Sequence, residues 1–447
     1  MTGWDALLDL DDREGSLHQR LTDAIRVAVV SGRVGPGCAL PASRTLASDL
    51  GCSRWVVTEA YAQLVAEGLL EARSGSATTV RCPGVVGATA KNAQCTPAFD
   101  LSPGVPDHRT FPAGRWARHV REAAEALTAG EIGFPDPRGH HRLRQQLTDY
   151  LVRARGAVLT VDDLVICMGT PDAVRRLGQV LRAEGHTHVG VEDPGWPELS
   201  AAVRAAELVP VPVPVDDDGL RVDVLHRMPH VRSVIVTPAH QFPTGVALAA
   251  TRRAALVRWA RDVDGLIVES DFDGEFRYDR RRIGVLQALD PTRVALIGAI
   301  HKVLSPALLM GWLVAPARWL RPGHAPSVFD QEALARFIGA GSYDRCLRQS
   351  RLLHRRRRDR LRSEIAAALP GHRMTAIDAG LHLVLHLNDR AAAAVVAAAA
   401  RRDLRLVDLD EYRSAQGPPA LVLGYGNLAD SAVRGAARAV ADAVQQS

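Results

Sequence analysis

No stretch of the 447-residue sequence is both uncharged and apolar for long enough to cross a bilayer. The longest such run, Ala391–Ala400, is held between Arg390 and Arg401 and falls far short of the ~20 residues a spanning helix needs. The first residues, MTGWDALLDLDDREG, are acidic, and they lack the basic start and apolar run of a secretory signal. Six cysteines are scattered with no C-x-x-C pair, as expected of reduced thiols in a cytosolic protein. These absences predict a cytoplasmic protein with no membrane partner and no metal site. What is present is ordinary for a globular chain: 47% hydrophobic and 23% charged residues, enough for two or three domains. The formal charge of +5 only hints at an anionic partner.

Residues 1–81 read as one compact unit. Leu17, Leu21, Ala24, Ile25 and Ala28 recur at helical spacing, so the pattern predicts a helix over Ser16–Ser31 capped by Ser16. SGRVGPG breaks it. A short second helix, Ser43–Leu50, has Leu46, Ala47 and Leu50 on one side, Gly51 as its stop, and Ser53 as the next N-cap. The third helix buries Val57, Ala60, Tyr61, Leu64 and Val65, which forces Arg54, Trp55 and Thr58 outward. Leu69–Arg73 and Ala77–Arg81 then read as a hairpin around Ser74-Gly75-Ser76. Helix, tight turn, helix and hairpin make a winged helix-turn-helix, whose third helix fits a DNA major groove with its N-terminal residues leading. Arg54 is placed to meet a guanine edge or a phosphate, Arg44 opens the second helix, and Arg73 and Gly75 sit at the wing.

The run PGCALPASRTLASDLGCSRWVVTEAYAQLVAEGLLEARSGSATTV resembles the GntR-type DNA-binding domain along its whole length. That resemblance implies DNA contacts from Arg44, Ser53, Arg54, Val56, Thr58, Arg73 and Gly75. Residues 82–98 form a linker, since Cys82–Thr96 is rich in Gly, Ala, Pro and Thr without periodic pattern. Its length would let each winged helix pack on the other subunit of a homodimer.

Residues 99–447 alternate short apolar strands with amphipathic helices. Val165–Met168, His188–Val191, Ser233–Thr237, Leu266–Glu269, Val294–Ile300 and Leu313–Ala315 are the expected strands of a mostly parallel sheet. Ligands collect beyond the carboxyl ends of such strands, and there lie Glu192-Asp193, the PAHQFPTG loop, Glu269-Ser270-Asp271 and His301-Lys302. A lysine at a buried strand end either meets an acidic partner or stays neutral and nucleophilic. A third option is to snorkel to the surface. The cationic run His354–Arg360, HRRRRDR, falls in a helical stretch, Asp344–Leu369, and reads as a solvated face or as a contact for a partner's winged helix.

In order, FDLSPGVPDHRTFPAGRW, PDPRGHHRLRQQLTDYLVRARG, VEDPGW, TPAHQFPTG, ESDFDGEFRY and HKVLSPALLMGWLVAP resemble the MocR subfamily of GntR regulators. Those proteins join a winged helix to an α/β domain similar to fold-type-I aminotransferases, which bind pyridoxal 5′-phosphate. The fold so implied has a mostly parallel central sheet and a smaller C-terminal α+β subdomain. The resemblance implies that Lys302 is the Schiff-base lysine. It also implies that the α/β domain dimerises and senses a small-molecule effector.

This sequence departs from that pattern at several anchors. Ser270 stands where the family has the carboxylate for the pyridine nitrogen, with Asp271 beside it, and Phe272 replaces the tyrosine on the ring oxygen. His301 replaces a phosphate-binding serine, Leu309 the phosphate-gripping arginine, Phe134 a tyrosine that crosses the dimer, and Pro171 a glutamine. Gly169 and Thr170 still offer backbone N–H groups, and Phe242 adds apolar surface. Each charge-assisted hydrogen bond contributes roughly 1.5–3 kcal/mol, so losing two weakens binding by on the order of 10²–10⁴. Two competing readings therefore accompany a DNA-binding regulator with a sensing domain. One is a pyridoxal-phosphate aminotransferase with a vestigial winged helix, which is disfavoured. The other is a regulator that has exchanged the cofactor for a different effector or for none.

Overall fold

A computed structural model describes residues 15–30, 34, 38–72, 77–81, 97–271, 273–278, 283–375, 378–388 and 390–446. The chain divides into two compact units, Met1–Cys95 and Thr96–Ser447. No helix among the described residues is long and apolar enough to cross a membrane.

In the first unit, α1 (Leu17–Val30), α2 (Ser43–Asp49) and α3 (Arg54–Ala66) enclose one core. Leu21, Ile25, Leu46, Val57, Ala60 and Leu64 are almost fully buried, as their helical spacing requires. Gly51 ends α2 in the left-handed region at φ 62°, where an L side chain would be strained. Ser53 is the residue before α3, but its hydroxyl makes no capping bond. Strands β1 (Leu70–Glu71) and β2 (Thr79–Val80) pair antiparallel as the wing's base. The wing tip with Arg73 and Gly75 lies outside the described residues, as does the linker over Cys82–Thr96.

The second unit is built on an eight-stranded sheet. Its strands are β3 (Leu164–Cys167), β4 (His188–Asp193), β5 (Val209–Asp216), β6 (Gly219–Leu220), β7 (Val231–Val236), β8 (Leu266–Ser270), β9 (Val294–Ala299) and β10 (Gly311–Val314). The order across the sheet is β3-β10-β9-β8-β7-β4-β5-β6. Pairings from β9 through β5 are parallel, whereas β10 runs antiparallel to both β9 and β3. Parallel strands covered by helices on both faces read as continuous apolar runs, and LIVES in β8 and LVIC in β3 are buried at every position.

Strand β5 was not anticipated from the sequence, because VPVPVPVD has proline at every second residue. Those prolines remove every donor on one edge and leave the valine N–H groups on the other, and Val209 N donates to Thr187 O beside β4. The strand therefore closes the sheet, apart from the two-residue β6 that pairs beyond the prolines.

A second sheet of four antiparallel strands, β11 (Met374–Thr375), β12 (His382–His386), β13 (Val407–Asp408) and β14 (Ala420–Gly424), forms the C-terminal subdomain in the order β11-β12-β14-β13. A 27-residue helix, Ser342–Ala368, runs alongside both cores, burying Cys346 and Leu347 in one and Leu361 and Ile365 in the other. Its arginine run is not a solvated face. His354, Arg357 and Arg358 are buried, because positions i, i+3 and i+4 share one side of a helix. Arg357 donates to Asp107, Asp430 and the carbonyl of Gly426 at 2.7, 2.7 and 2.8 Å. Only Arg355, Arg356 and Arg360 keep the exposed side.

Candidate functional site

The second unit carries its pocket beyond the carboxyl ends of its central strands. The turn Ile300–Lys302 follows β9 and drops Lys302 beneath a cavity of about 370 Å³. Gly169 precedes the helix Thr170–Ala183 at the end of β3, Trp196 follows β4, and Phe242 follows β7. The cavity's wall includes Met168, Trp196, Phe242, Leu309, Met310 and Tyr412, while Lys302, His301 and Thr170 supply its few polar groups. Phe242 stacks edge-on against Tyr412 at 5.0 Å. Main chains come close here: a Cβ at Gly311 would lie 2.6 Å from the Gly298 carbonyl, so only glycine fits.

Lys302 is buried, and its Nζ donates to Asp273 Oδ1 at 2.7 Å. The partner is neither Glu269 nor Asp271, the acids that flank Ser270. Asp271 instead holds Arg155 with two bonds, at 2.7 and 2.8 Å. Glu269 accepts the N–H groups of Leu286 and Gln287, both at 2.8 Å. Asp273 is fully buried, and although burial opposes its charge, Lys302 and His240 hold it well below the carboxylate range. Burial in turn pushes the Lys302 amine down to about 8, against the pull of Asp273.

Two histidines complete this nest. His240 Nδ1 lies 3.4 Å from Asp273 Oδ2, and its ring centroid is 5.1 Å from that of His382. His382 places Nε2 2.9 Å from the Pro243 carbonyl, and burial pushes its ring down to about 3. Gly380 makes room for this packing: a Cβ there would come 2.1 Å from His240 Cε1. His240, Asp273 and His382 are the residues of this region whose ligand atoms could surround a metal, lying within 4.8 Å of one another. A dication there would face the Lys302 ammonium with Asp273 as the trio's one carboxylate to balance both, so the arrangement does not favour a metal. Sequence reasoning passed over all three. Asp273 had a signal, since it sits in the same ESDFDGEFRY stretch as the acids that were considered.

The remaining anticipated positions scatter. Ser270 is buried at the end of β8 and carries no charge. Leu309 is 61% exposed at the rim with φ 44°, a left-handed conformation that is uncommon for leucine. Phe134 is fully exposed and does not line the cavity. Phe272 lies outside the described residues. His301 is half-buried; desolvation and the neighbouring Lys302 charge push it down to about 3, so it is a neutral ring rather than a cation.

Glu269 offers a test of this electrostatics. Burial, with the Asp271 charge beside it, raises its pKa from 4.5 to about 7. A raised folded-state value gives stability that is complete below 4.5 and is lost as pH rises through 7. Glu269→Gln should therefore flatten the pH dependence, with wild type losing on the order of 3 kcal/mol relative to the variant across that interval. Chemical denaturation at pH 4.5 and pH 8 measures it; parallel curves for the two proteins would exclude the shift.

On the first unit, Arg44, Ser53, Arg54 and Thr58 are all exposed, and Val56 is half-buried. Arg54 Nε reaches Ser43 Oγ at 3.3 Å, which links the starts of α2 and α3. Trp55, 66% exposed, stands beside Arg54 on the outer face.

Comparison with known proteins matches both units. Residues 17–80 match the bacterial regulatory proteins of the gntR family, and residues 96–271 match aminotransferase class I and II. The chain is 33% identical over 446 residues to the HTH-type pyridoxine biosynthesis transcriptional regulator PdxR of Corynebacterium glutamicum, covering 96% of each chain. It is 31% identical to the probable rhizopine catabolism regulatory protein MocR of Rhizobium meliloti, covering 78% of each. Among solved structures, an archaeal alanine:glyoxylate aminotransferase superposes with a TM-score of 0.71 at 22% identity, covering 78% of this chain and 91% of that one. The α-aminoadipate aminotransferase LysN of Thermus thermophilus, complexed with N-(5′-phosphopyridoxyl)-L-leucine, superposes at 0.68 and 19% identity, covering 78% and 92%. The fold is thus that of enzymes dependent on pyridoxal phosphate.

The residues of this pocket do not fit that cofactor. At the end where a phosphate would lie, Leu309 is apolar and His301 is neutral. In the first turn of the helix Thr170–Ala183, Asp172 accepts the Met168 N–H at 3.0 Å and engages Arg175 and Arg176, both at 2.7 Å, and neither arginine lines the cavity. At the ring-nitrogen end, Ser270 has no charge and Asp271 is committed to Arg155. Asp273 is the acid that faces Lys302, and it is occupied by the amine.

Proposed function

Because the chain belongs to the GntR family of bacterial regulatory proteins, in the group that joins the winged helix to an aminotransferase-like domain, we propose that this DNA-binding transcription regulator uses its second domain to sense a small molecule. The observation that carries this reading is the cavity over Lys302: a buried amine under aromatic walls, without the charged groups that a phosphorylated cofactor needs. Turnover of an amino acid is disfavoured, because the electron sink of a pyridine ring depends on a carboxylate at its nitrogen and Ser270 provides none.

The DNA contacts assigned to α2 and α3 centre on Arg54. Burying Val57, Ala60 and Leu64 turns Arg54 outward at the leading end of α3, where a planar guanidinium matches a guanine edge. Arg54→Ala should cost about 1–3 kcal/mol at the specific operator and relax sequence preference there. Gel-shift titration against a panel of promoter fragments measures both. Equal binding of every fragment by wild type, unchanged in the variant, rules the assignment out.

A homodimer is the proposed assembly, since one winged helix reads a single half-site. The exposed Phe134 and Ile132 are available for such a contact. Light scattering should return about twice the 48.2 kDa of one chain. A concentration-independent monomer would refute it.

A further inference from the structure

All but two of the 55 lysine and arginine positions are arginine; the lysines are Lys91 and Lys302. A chain that takes arginine almost everywhere for positive charge carries lysine under its cavity. The difference is chemical. A guanidinium stays protonated and does not add to carbonyl carbon, whereas a lysine amine in a desolvated site does.

The surroundings say what that carbonyl compound is. The walls are flat and apolar, from Trp196, Phe242 and Tyr412, with Met310 and Leu309 closing the side. About 370 Å³ lies at the small end of the range for small-molecule sites, roughly 300–1,000 Å³. Asp273 is already paired with the amine, and no arginine is among the described residues that line the cavity. A ligand for this space is aromatic, uncharged and free of phosphate.

We propose that the cavity captures a phosphate-free aromatic aldehyde or ketone as an imine on Lys302. This inference rests on the sensing role proposed above and names the class of ligand sensed. The chemistry balances without a further reagent. The ammonium releases one proton to solvent, and the Nζ lone pair forms a C–N bond to the carbonyl carbon as the C=O π bond opens. The two remaining Nζ hydrogens pass to the oxygen, the C–O bond breaks and water leaves. One proton from solvent then adds to the imine nitrogen, so the product keeps one positive charge opposite Asp273, as the ammonium had.

The test uses the full-length protein with benzaldehyde and 2-naphthaldehyde against pyridoxal phosphate, each followed by borohydride reduction and peptide mapping. Expected is one adduct per chain at Lys302, formed at concentrations at least about tenfold lower for an aryl aldehyde than for pyridoxal phosphate. Lys91→Arg should leave that adduct unchanged and Lys302→Arg should abolish it. Because Lys302→Arg disturbs a buried pair, a second variant is informative. Leu309→Arg, at an exposed position, should swing the preference toward pyridoxal phosphate by about tenfold or more, the worth of one charge-assisted bond. Preference of wild type for pyridoxal phosphate, equal labelling of Lys91 and Lys302, or no adduct from either aldehyde would overturn the proposal. An adduct at Lys302 that leaves operator affinity unchanged would uphold the ligand class and sink the sensing role instead.

Discussion

Asp273→Ala should destabilise the aminotransferase-like domain by about 3–5 kcal/mol, among the largest losses any single substitution in this chain would cause. The reason is the burial of its partner. Lys302 Nζ sits 2.7 Å from Asp273 Oδ1, with side-chain exposures of 3% and 0%. Removing the carboxylate strips a buried ammonium of that counter-charge, and His240 and His382 beside it offer no anion in exchange. Replacing both partners removes both charges, so Asp273→Asn with Lys302→Met should recover most of the loss. Urea unfolding of the wild type, both single variants and the double variant measures the coupling. Additive losses, with no recovery in the double variant, would show that the pair is not energetically linked. An Asp273→Ala protein within 0.5 kcal/mol of wild type would show that the charge is compensated from elsewhere, since surface changes are typically of about that size.

Arg357→Ala is expected to cost a similar ~3–5 kcal/mol, for a different reason. Its guanidinium satisfies Asp107, Asp430 and the Gly426 carbonyl together and is 5% exposed. It thereby ties the long helix to the segment before His108–Thr110 and to the chain after β14. Asp107 keeps Arg109, whose Nε lies 2.7 Å away, but the Gly426 carbonyl is left without this donor. Arg357→Lys should rescue little, because a single ammonium cannot reproduce three bonds spread over a planar fork. The measurement is again chemical denaturation, with the winged-helix signal as an internal control. A lysine variant as stable as wild type would mean that charge alone, rather than the fork, is what this position supplies.

The arginine run shows where the sequence misleads. HRRRRDR reads as solvated because charge is expensive to bury, and the acids that offset the cost lie far off in the chain. Asp107 is 250 positions from Arg357, and Asp430 is 73. No local pattern announces such a pairing. Lys302 shows the same limit at shorter range. Its need for an acidic partner is legible in an apolar context, yet choosing among Glu269, Asp271 and Asp273 requires knowing that Arg155 has claimed one and two backbone N–H groups another.

What the sequence alone determined is whatever rests on local repetition. Helical spacing set the three helices of the winged helix and turned Arg54 outward, and continuous apolar runs marked six strands of the central sheet. Ordered motifs placed the lysine at a strand end, where ligands gather. What only the tertiary structure decided is which polar groups meet and how the strands run: the reversed direction of β10, the Lys302–Asp273 pair, the neutral state of His301 and the pairing of Asp271 with Arg155. Periodicity is a property of neighbours in the chain and survives in any tertiary arrangement. The energy of a buried charge depends on partners brought from distant segments, so it exists only once the chain has folded.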